Sequence, residues 1–336
     1  MKKIYTILLL IFISSNCILS QTTKTSKTNT VKKVTSCTDI KEIRVAGYNY
    51  INPLLDYYDI YSSSLGTNKL LQKNITDFIQ KEITSKNIES ASVYYRDLTT
   101  GLWVGINENA VYSPASLLKV PYLIAALKQA QEDPNFLLKQ DVFIPNEDKP
   151  YQNIRDSFSL VAGNIYTMQE LIEAMIIHSD NDAKDLLVRN IPYPIYKEIF
   201  EDLNIDIQKF DSIGAPSNFL SVKQYASFFR ILYNATFLNN RMSEYALSLL
   251  SNTTYNDGIK AGIPTTVKLS HKFGERFFTN IDTKQLHDCG IIYKDNQPYL
   301  LCVMTKGKDL KQMAKTIASI SKLVYKHLDN QITVNK

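Results

Sequence analysis

Ser116 stands three residues before Lys119, and an apolar run, Val120 to Leu127, follows directly. On a helix, positions i and i+3 face the same way, within hydrogen-bonding reach. A serine hydroxyl is a poor nucleophile until a base stands beside it. A lysine can be that base when burial and a nearby cation depress its pKa. The free N–H groups at a helix start favour negative charge developing on an attacked carbonyl. The pair can therefore form a covalent acyl intermediate. The same spacing also fits a serine that only caps the helix and a lysine that snorkels to water.

Two later stretches carry further polar groups. "HSDNDA" contains Ser179, Asp180 and Asn181, and "SHKFGER" contains Lys272, Phe273, Gly274 and Glu275. Asp180 reads as structural, turning its loop. Taken alone, Lys272 is a solvated charge on a strand.

The elements that must position these groups follow from periodicity. Leu71, Ile75, Phe78, Ile79 and Ile83 fall at helical spacing within residues 68–86. Residues 89–108 alternate on either side of Thr99-Thr100-Gly101, which predicts a hairpin. The stretch from about 116 to 251 is mostly helical. It includes two runs broken at "HSDN" and an amphipathic helix over 221–238. Strands return at 267–275, 286–294 and 298–306, and a helix over 310–328 closes the chain. A mixed α/β (α+β) fold follows, with a sheet built from both ends of the chain and a helical insert between them.

Ser116-x-x-Lys119, Ser179-Asp180-Asn181 and Lys272-Phe273-Gly274 occur in order: one opens a helix, one breaks two helices, one lies on a late strand. Ser-x-x-Lys, Ser-Asp-Asn and Lys-Thr-Gly mark the class A β-lactamases and penicillin-binding proteins. The chain thus resembles the penicillin-recognising serine hydrolases, most closely their class A β-lactamase-like branch. The likeness covers nearly all of the domain. It implies an antiparallel sheet, an all-helical subdomain and a site between them. It also implies β-lactamase activity on a β-lactam or a peptidoglycan-like acyl-peptide, by a monomer with no metal or organic cofactor. Carried over, Ser116 is the acylated nucleophile and Lys119 takes its proton. Ser179 relays protons to the leaving nitrogen, and Lys272 adds positive charge beside Ser179 and the substrate carboxylate. Asn181, Gly274 and Glu275 fall on the substrate-binding side. The backbone N–H groups of Ser116 and Glu275 form the oxyanion hole.

The sequence departs from the family in two places. Placing Asp211 at the usual loop aspartate puts Gly214 where the family's water-activating glutamate stands, and Asn218 at its asparagine. No Glu occurs between Asp202 and Glu244. Fast hydrolysis of the acyl-enzyme lacks its base, which favours the alternative of a D,D-peptidase, transpeptidase or other envelope amidase. The second departure is Phe273, which cannot donate a hydrogen bond to a carboxylate as the family's threonine does. Glu275 beside it is read as pairing with a cation or recognising a basic substrate group, rather than as the missing base. A non-catalytic cell-wall-binding protein is a further alternative, but a pure binder needs no activated serine.

The 336 residues are 44% hydrophobic, enough for a sizeable core. The net charge of +5 is misleading. Six lysines and no acid precede residue 37, which leaves 32 bases against 33 acids beyond it. No basic nucleic-acid footprint is implied. Residues 1–20, "MKK" followed by an apolar stretch from Ile4 to Ile13, read as an export signal. Cleavage after Ser20 is preferred to lipidation at Cys17, and the expected location is the periplasm or envelope. Residues 21–45 read as a Thr/Lys-rich tether, 46–70 as an arm and 71–330 as the hydrolase domain. Glycine elbows, phosphate loops and metal-binding helices are missing from the sequence, and His178, His271, His287 and His327 read as structural. If Asp295-Asn296 forms a tight turn, Cys289 and Cys302 face each other. An exported protein could oxidise them, but the reading preferred is a pair of small buried thiols.

Overall fold

The structure, a computed structural model, describes residues 47–53, 63–145, 154, 156–206, 218–277, 282–295 and 297–334. The expected signal, the tether, Cys17, Asp211, Gly214 and Asn296 lie outside them. The described residues belong to one compact unit.

Helix α1 (Ser63–Thr84) precedes the hairpin β1 (Ser90–Asp97) and β2 (Trp103–Ile106). The Asp97 carboxylate accepts the N–H groups of Thr99 and Thr100, which fixes the expected turn. A short strand β3 (Val111–Tyr112) leads through a 3-10 turn (Ala115–Leu118) into α2 (Lys119–Glu132). Then come β4 (Gln140–Val142), β5 (Ile165–Thr167), α3 (Met168–Ile177), α4 (Asn181–Val188) and α5 (Tyr193–Asp202). After β6 (Leu220–Ser221) follow α6 (Val222–Tyr233), α7 (Asn240–Ser251), β7 (Lys268–Phe277), β8 (Lys284–Tyr293), β9 (Tyr299–Gly307) and α8 (Leu310–Val334).

The sheet runs β2-β1-β9-β8-β7, and every pair in it is antiparallel. The first hairpin thus adds to the last one, as the order of elements predicts. Alternate side chains serve two cores. Val93, Tyr95, Leu301 and Val303 pack towards α1 and α8, while Tyr94, Cys289, Ile291, Leu300 and Cys302 pack towards the helical half. Being covered on both faces, β8 and β9 are almost wholly buried. Helices start on side-chain caps: Thr167 with Glu170, Asp180, Ser221 with Gln224, and Asn239. The arm docks by backbone: the N–H groups of Asn49, Tyr50 and Ile51 donate to the Glu244 carboxylate. Among the described residues no helix is long and apolar enough to cross a membrane.

Two expectations need correction. Cys289 and Cys302 form a disulfide rather than a pair of thiols. They stand directly opposite in the β8–β9 ladder with Cα atoms 4.0 Å apart, so both sulfurs project to one face. Secondly, the helix does not open at Ser116. That residue lies in the 3-10 turn, and α2 begins at Lys119.

Candidate active site

The turn that carries Ser116 is held from several sides. Ala115 takes a left-handed backbone conformation, φ +48°, which a residue with a Cβ adopts only at a cost. The buried phenol of Tyr225 on α6 donates to the Leu117 carbonyl at 3.0 Å. Gln285 and His287, alternate residues on one face of β8, grip the backbone of Ser113. The Ser113 N–H donates to Gln285 Oε1 at 2.9 Å, and His287 Nε2 lies 3.0 Å from the Ser113 carbonyl. Burial lowers the His287 pKa to about 4, so the ring is neutral near pH 7 and donates to that carbonyl.

Lys119, 2% exposed, turns inward, which excludes the snorkelling alternative. Nor does the Ser116 side chain cap the helix. The Lys119 Nζ lies 3.1 Å from Ser116 Oγ, 3.2 Å from Ser179 Oγ, 2.5 Å from the Ser179 carbonyl and 2.7 Å from Asn181 Oδ1. Ser179 occupies the joint between α3 and α4 at φ +56°, and Asp180 caps α4 by accepting from the Ala183 N–H. That local geometry is what "HSDN" encodes: one helix stops, the next is capped, and the serine between them projects inward. Lys272 on β7 is fully buried and donates to Ser179 Oγ at 2.8 Å and to the Phe273 carbonyl at 3.1 Å. Ser116, Lys119, Ser179, Asn181 and Lys272 therefore converge from three separate parts of the chain.

Two amines share this buried space. Desolvation, then the charge of Lys272, holds the Lys119 pKa well below the ordinary lysine value. Desolvation likewise lowers Lys272 to about 7, against the opposing pull of Asp288. An uncharged Lys119 amine beside Ser116 can accept its proton.

Gly274 is where β7 touches the Ser116 turn. A Cβ there would lie 2.9 Å from the Pro114 carbonyl and 3.0 Å from the Leu117 nitrogen. The Phe273 ring stacks on Tyr255, centroids 4.2 Å apart, with the Lys272 amine 4.3 Å from the Phe273 centroid. The ring thus offers a cation–π contact where the family pattern has a hydroxyl. Glu275, expected to meet a cation or a basic substrate group, accepts the Ile154 N–H at 2.8 Å. Two residues on from Ile154, Asp156 lies 2.5 Å from His178 Nδ1 and accepts from Thr254 Oγ1 at 3.0 Å. Phe158 stacks on the same imidazole. This stretch ties the β7 edge to the residue before Ser179, and no period or turn signal in the sequence announces it. Asn218, aligned with the family's loop asparagine, accepts from Gln285 Nε2 beside β6.

A family model described as the beta-lactamase enzyme family matches residues 71–328, well over half of the chain. The chain belongs to the beta-lactamase enzyme family. No sequence among the curated proteins matches it. Among solved structures it is similar to PBP-A, with 20% identity and a TM-score of 0.66 over 82% of this chain and 100% of that one. The TLA-1 extended-spectrum β-lactamase matches with 18% identity and a TM-score of 0.66 over 78% and 99% of the two chains. A class A β-lactamase from Bacteroides cellulosilyticus matches with 20% identity and a TM-score of 0.61 over 77% and 99%. At such identities the likeness establishes the β-lactamase and penicillin-binding fold. It agrees with the antiparallel sheet and helical half expected from the order of elements.

Proposed function

We propose that this chain is a serine hydrolase that opens the amide of a β-lactam through an acyl-enzyme at Ser116. The observation that carries the reading is the buried Lys119 amine, within hydrogen-bonding distance of both Ser116 Oγ and Ser179 Oγ. In the proposed reaction, neutral Lys119 takes the Ser116 proton as Oγ attacks the lactam carbonyl carbon. The N–H groups of Ser116 and Glu275 receive the oxyanion. Collapse breaks the C–N bond, and the nitrogen takes a proton from Ser179 Oγ, which Lys119 replaces. Lys272 and Ser179 face the substrate carboxylate, and Asn181 its amide side chain. Gly274 keeps β7 close enough to complete the pocket. No metal or organic cofactor enters this scheme. Export to the periplasm or envelope, whether by cleavage after Ser20 or anchoring at Cys17, goes with such a substrate.

A second reading keeps the nucleophile and slows the release: a penicillin-binding, D,D-peptidase-like acyltransferase. The absence of any Glu between Asp202 and Glu244 favours it, as does the engagement of Glu275 with the Ile154 N–H. PBP-A, in a variant form, is a neighbour described as an acyl-enzyme complex with penicillin G. The test is incubation with a labelled penicillin, followed by intact mass over time, with Ser116→Ala in parallel. An adduct that appears and decays with turnover supports a β-lactamase. A lasting adduct supports the peptidase-like reading. No adduct on the native chain, or an equal one on S116A, sinks both.

A further inference from the structure

Away from the Ser116 cleft, a cavity of about 320 Å³ lies at the start of the edge strand β7. Four parts of the chain wall it. The arm supplies Tyr50, the end of α7 and the loop after it supply Ser251 and Thr253, a 3-10 turn (Ile259–Gly262) supplies Lys260, and the approach to β7 supplies Lys268. Twelve residues line the cavity: two are lysines, seven carry a hydroxyl or a side-chain amide, and none is an acid. None of the five residues that converge at Ser116 lines it. A concave wall with two positive charges and many hydrogen-bond donors, but no carboxylate, calls for an anion.

Both lysines are held in place by neutral groups. The Lys260 amine donates to the Val267 carbonyl at 2.8 Å and the Thr265 carbonyl at 3.3 Å, which closes the loop before β7. An ammonium has three donors, so one remains for the cavity. Partial burial against these neutral partners lowers the Lys260 pKa. The Lys268 amine stands 5.6 Å from the centroid of the Tyr50 ring. Tyr50 is fixed in turn: its hydroxyl lies 3.0 Å from Ser251 Oγ, and its ring packs edge-on against Tyr293. Among the described residues neither lysine has a carboxylate within ion-pair distance. The acids in the neighbourhood are otherwise placed. Glu244 takes the arm's N–H groups, Asp288 takes His271 and the Ile259 N–H, and Asp257 is not part of the lining.

We propose that this cavity binds a phosphate group between Lys260 and Lys268, either as the free ion or as a monoester on a larger molecule. The number of donors selects phosphate over a carboxylate. A carboxylate has two oxygens and one charge, whereas a phosphate monoester has three terminal oxygens and close to two charges. The two ammonium groups can neutralise it as point charges. The side chains of Asn252, Thr265 and Thr266 line the same cavity and are not engaged with other described residues, so they supply further donors. Phosphate would give Lys268 an anionic partner, and the third Lys260 donor an acceptor. Because Tyr50 forms part of the wall, docking of the arm completes the site.

The test is independent of the proposed hydrolase activity, since the two sites share no residue. Titration calorimetry on the full chain, at fixed ionic strength and without sulfate, uses inorganic phosphate, glycerol 3-phosphate and acetate in turn. One saturable site for a phosphate is expected, with acetate weaker by about tenfold or more. Lys268→Glu and Lys260→Gln should each weaken phosphate binding by about tenfold or more, the loss of one charge-assisted contact. Lys311→Glu, which makes the same charge change as K268E at an exposed position on α8, should leave it intact. Tighter binding of the ester supports a phosphorylated larger molecule as the ligand, and tighter binding of the ion supports free phosphate. Absence of saturable binding by either phosphate overturns the proposal. So does acetate binding as tightly, an unchanged affinity in K268E, or an equal loss in K311E. Lys260 closes a loop, so circular dichroism checks K260Q first. If that variant is unfolded, K268E at its exposed position decides alone.

Discussion

At the scale of residues the site is a balance between two amines. In the proposed reaction Lys119 must be neutral to take a proton, so acylation is expected to rise as pH rises through its lowered pKa. In the same proposal Lys272 must be charged to hold a carboxylate, so acylation is expected to fall as pH rises through about 7. The second-order acylation constant of the free enzyme is therefore expected to be bell-shaped, with its basic limb near neutrality. Lys272→Arg carries a guanidinium that stays charged throughout. Stopped-flow acylation of K272R should lose the basic limb, whatever the height of its maximum. A limb that persists near pH 7 in K272R would assign it to another group. The convergence of Ser116, Lys119, Ser179, Asn181 and Lys272 was legible in the sequence because the proposed chemistry needs fixed residue types at fixed offsets. Gln285, His287 and Tyr225 were not. Each acts through a contact between residues far apart in the chain, and an isolated Gln, His or Tyr on a strand or helix carries no pattern.

At the scale of elements the question is how a strand from one end of the chain meets a turn from the other. Gly274 answers it, since its missing side chain lets β7 lie against Pro114 and Leu117. Gly274→Ala must push the two apart by some tenths of an ångström. The new Cβ would meet backbone first, with the Leu117 Cγ next at 3.1 Å. The expected cost is about 1–3 kcal/mol of stability, as for other overpacked sites, read from a urea transition. Acylation is expected to fall by about tenfold or more, because the proposed oxyanion donors, the N–H groups of Ser116 and Glu275, sit on the two pieces being separated. Full acylation by G274A would mean that the contact does not position those donors. The larger elements were legible: α1, the first hairpin, the broken helix pair at His178–Asn181, the last three strands and α8 all carry a clear period or turn. The pairs β3–β6 and β4–β5 were not, since two or three residues cannot show an alternation. The 3-10 turn escaped for a related reason: its left-handed Ala115 is imposed by packing, not by a glycine.

At the scale of the molecule the sheet joins a structural cross-link to the site. Lys272 on β7 stands opposite Cys289 on β8, Cys289 opposite Cys302 on β9, and Cys302 opposite Tyr94 on β1. These four form one row across the face that meets the helical half. The Cys289–Cys302 bond is thus the direct neighbour of Lys272 in the sheet. The turn expected at Asp295-Asn296 set the two cysteines face to face, but proximity alone does not decide oxidation, and the preference for buried thiols gave way to the register. The bond closes a loop with a sequence separation of 13, for which the chain-entropy account gives about 3 kcal/mol. The urea midpoint of the native chain is therefore expected to drop when a reductant is present during unfolding. In the double variant Cys289→Ala, Cys302→Ala the midpoint should be low from the start and indifferent to reductant. Since the row includes Lys272, the double variant should also acylate more slowly under conditions where it is still folded. A native midpoint that ignores reductant would mean that the cross-link contributes nothing. A double variant that is destabilised but acylates at the native rate would separate the bond's role in stability from any role in setting Lys272.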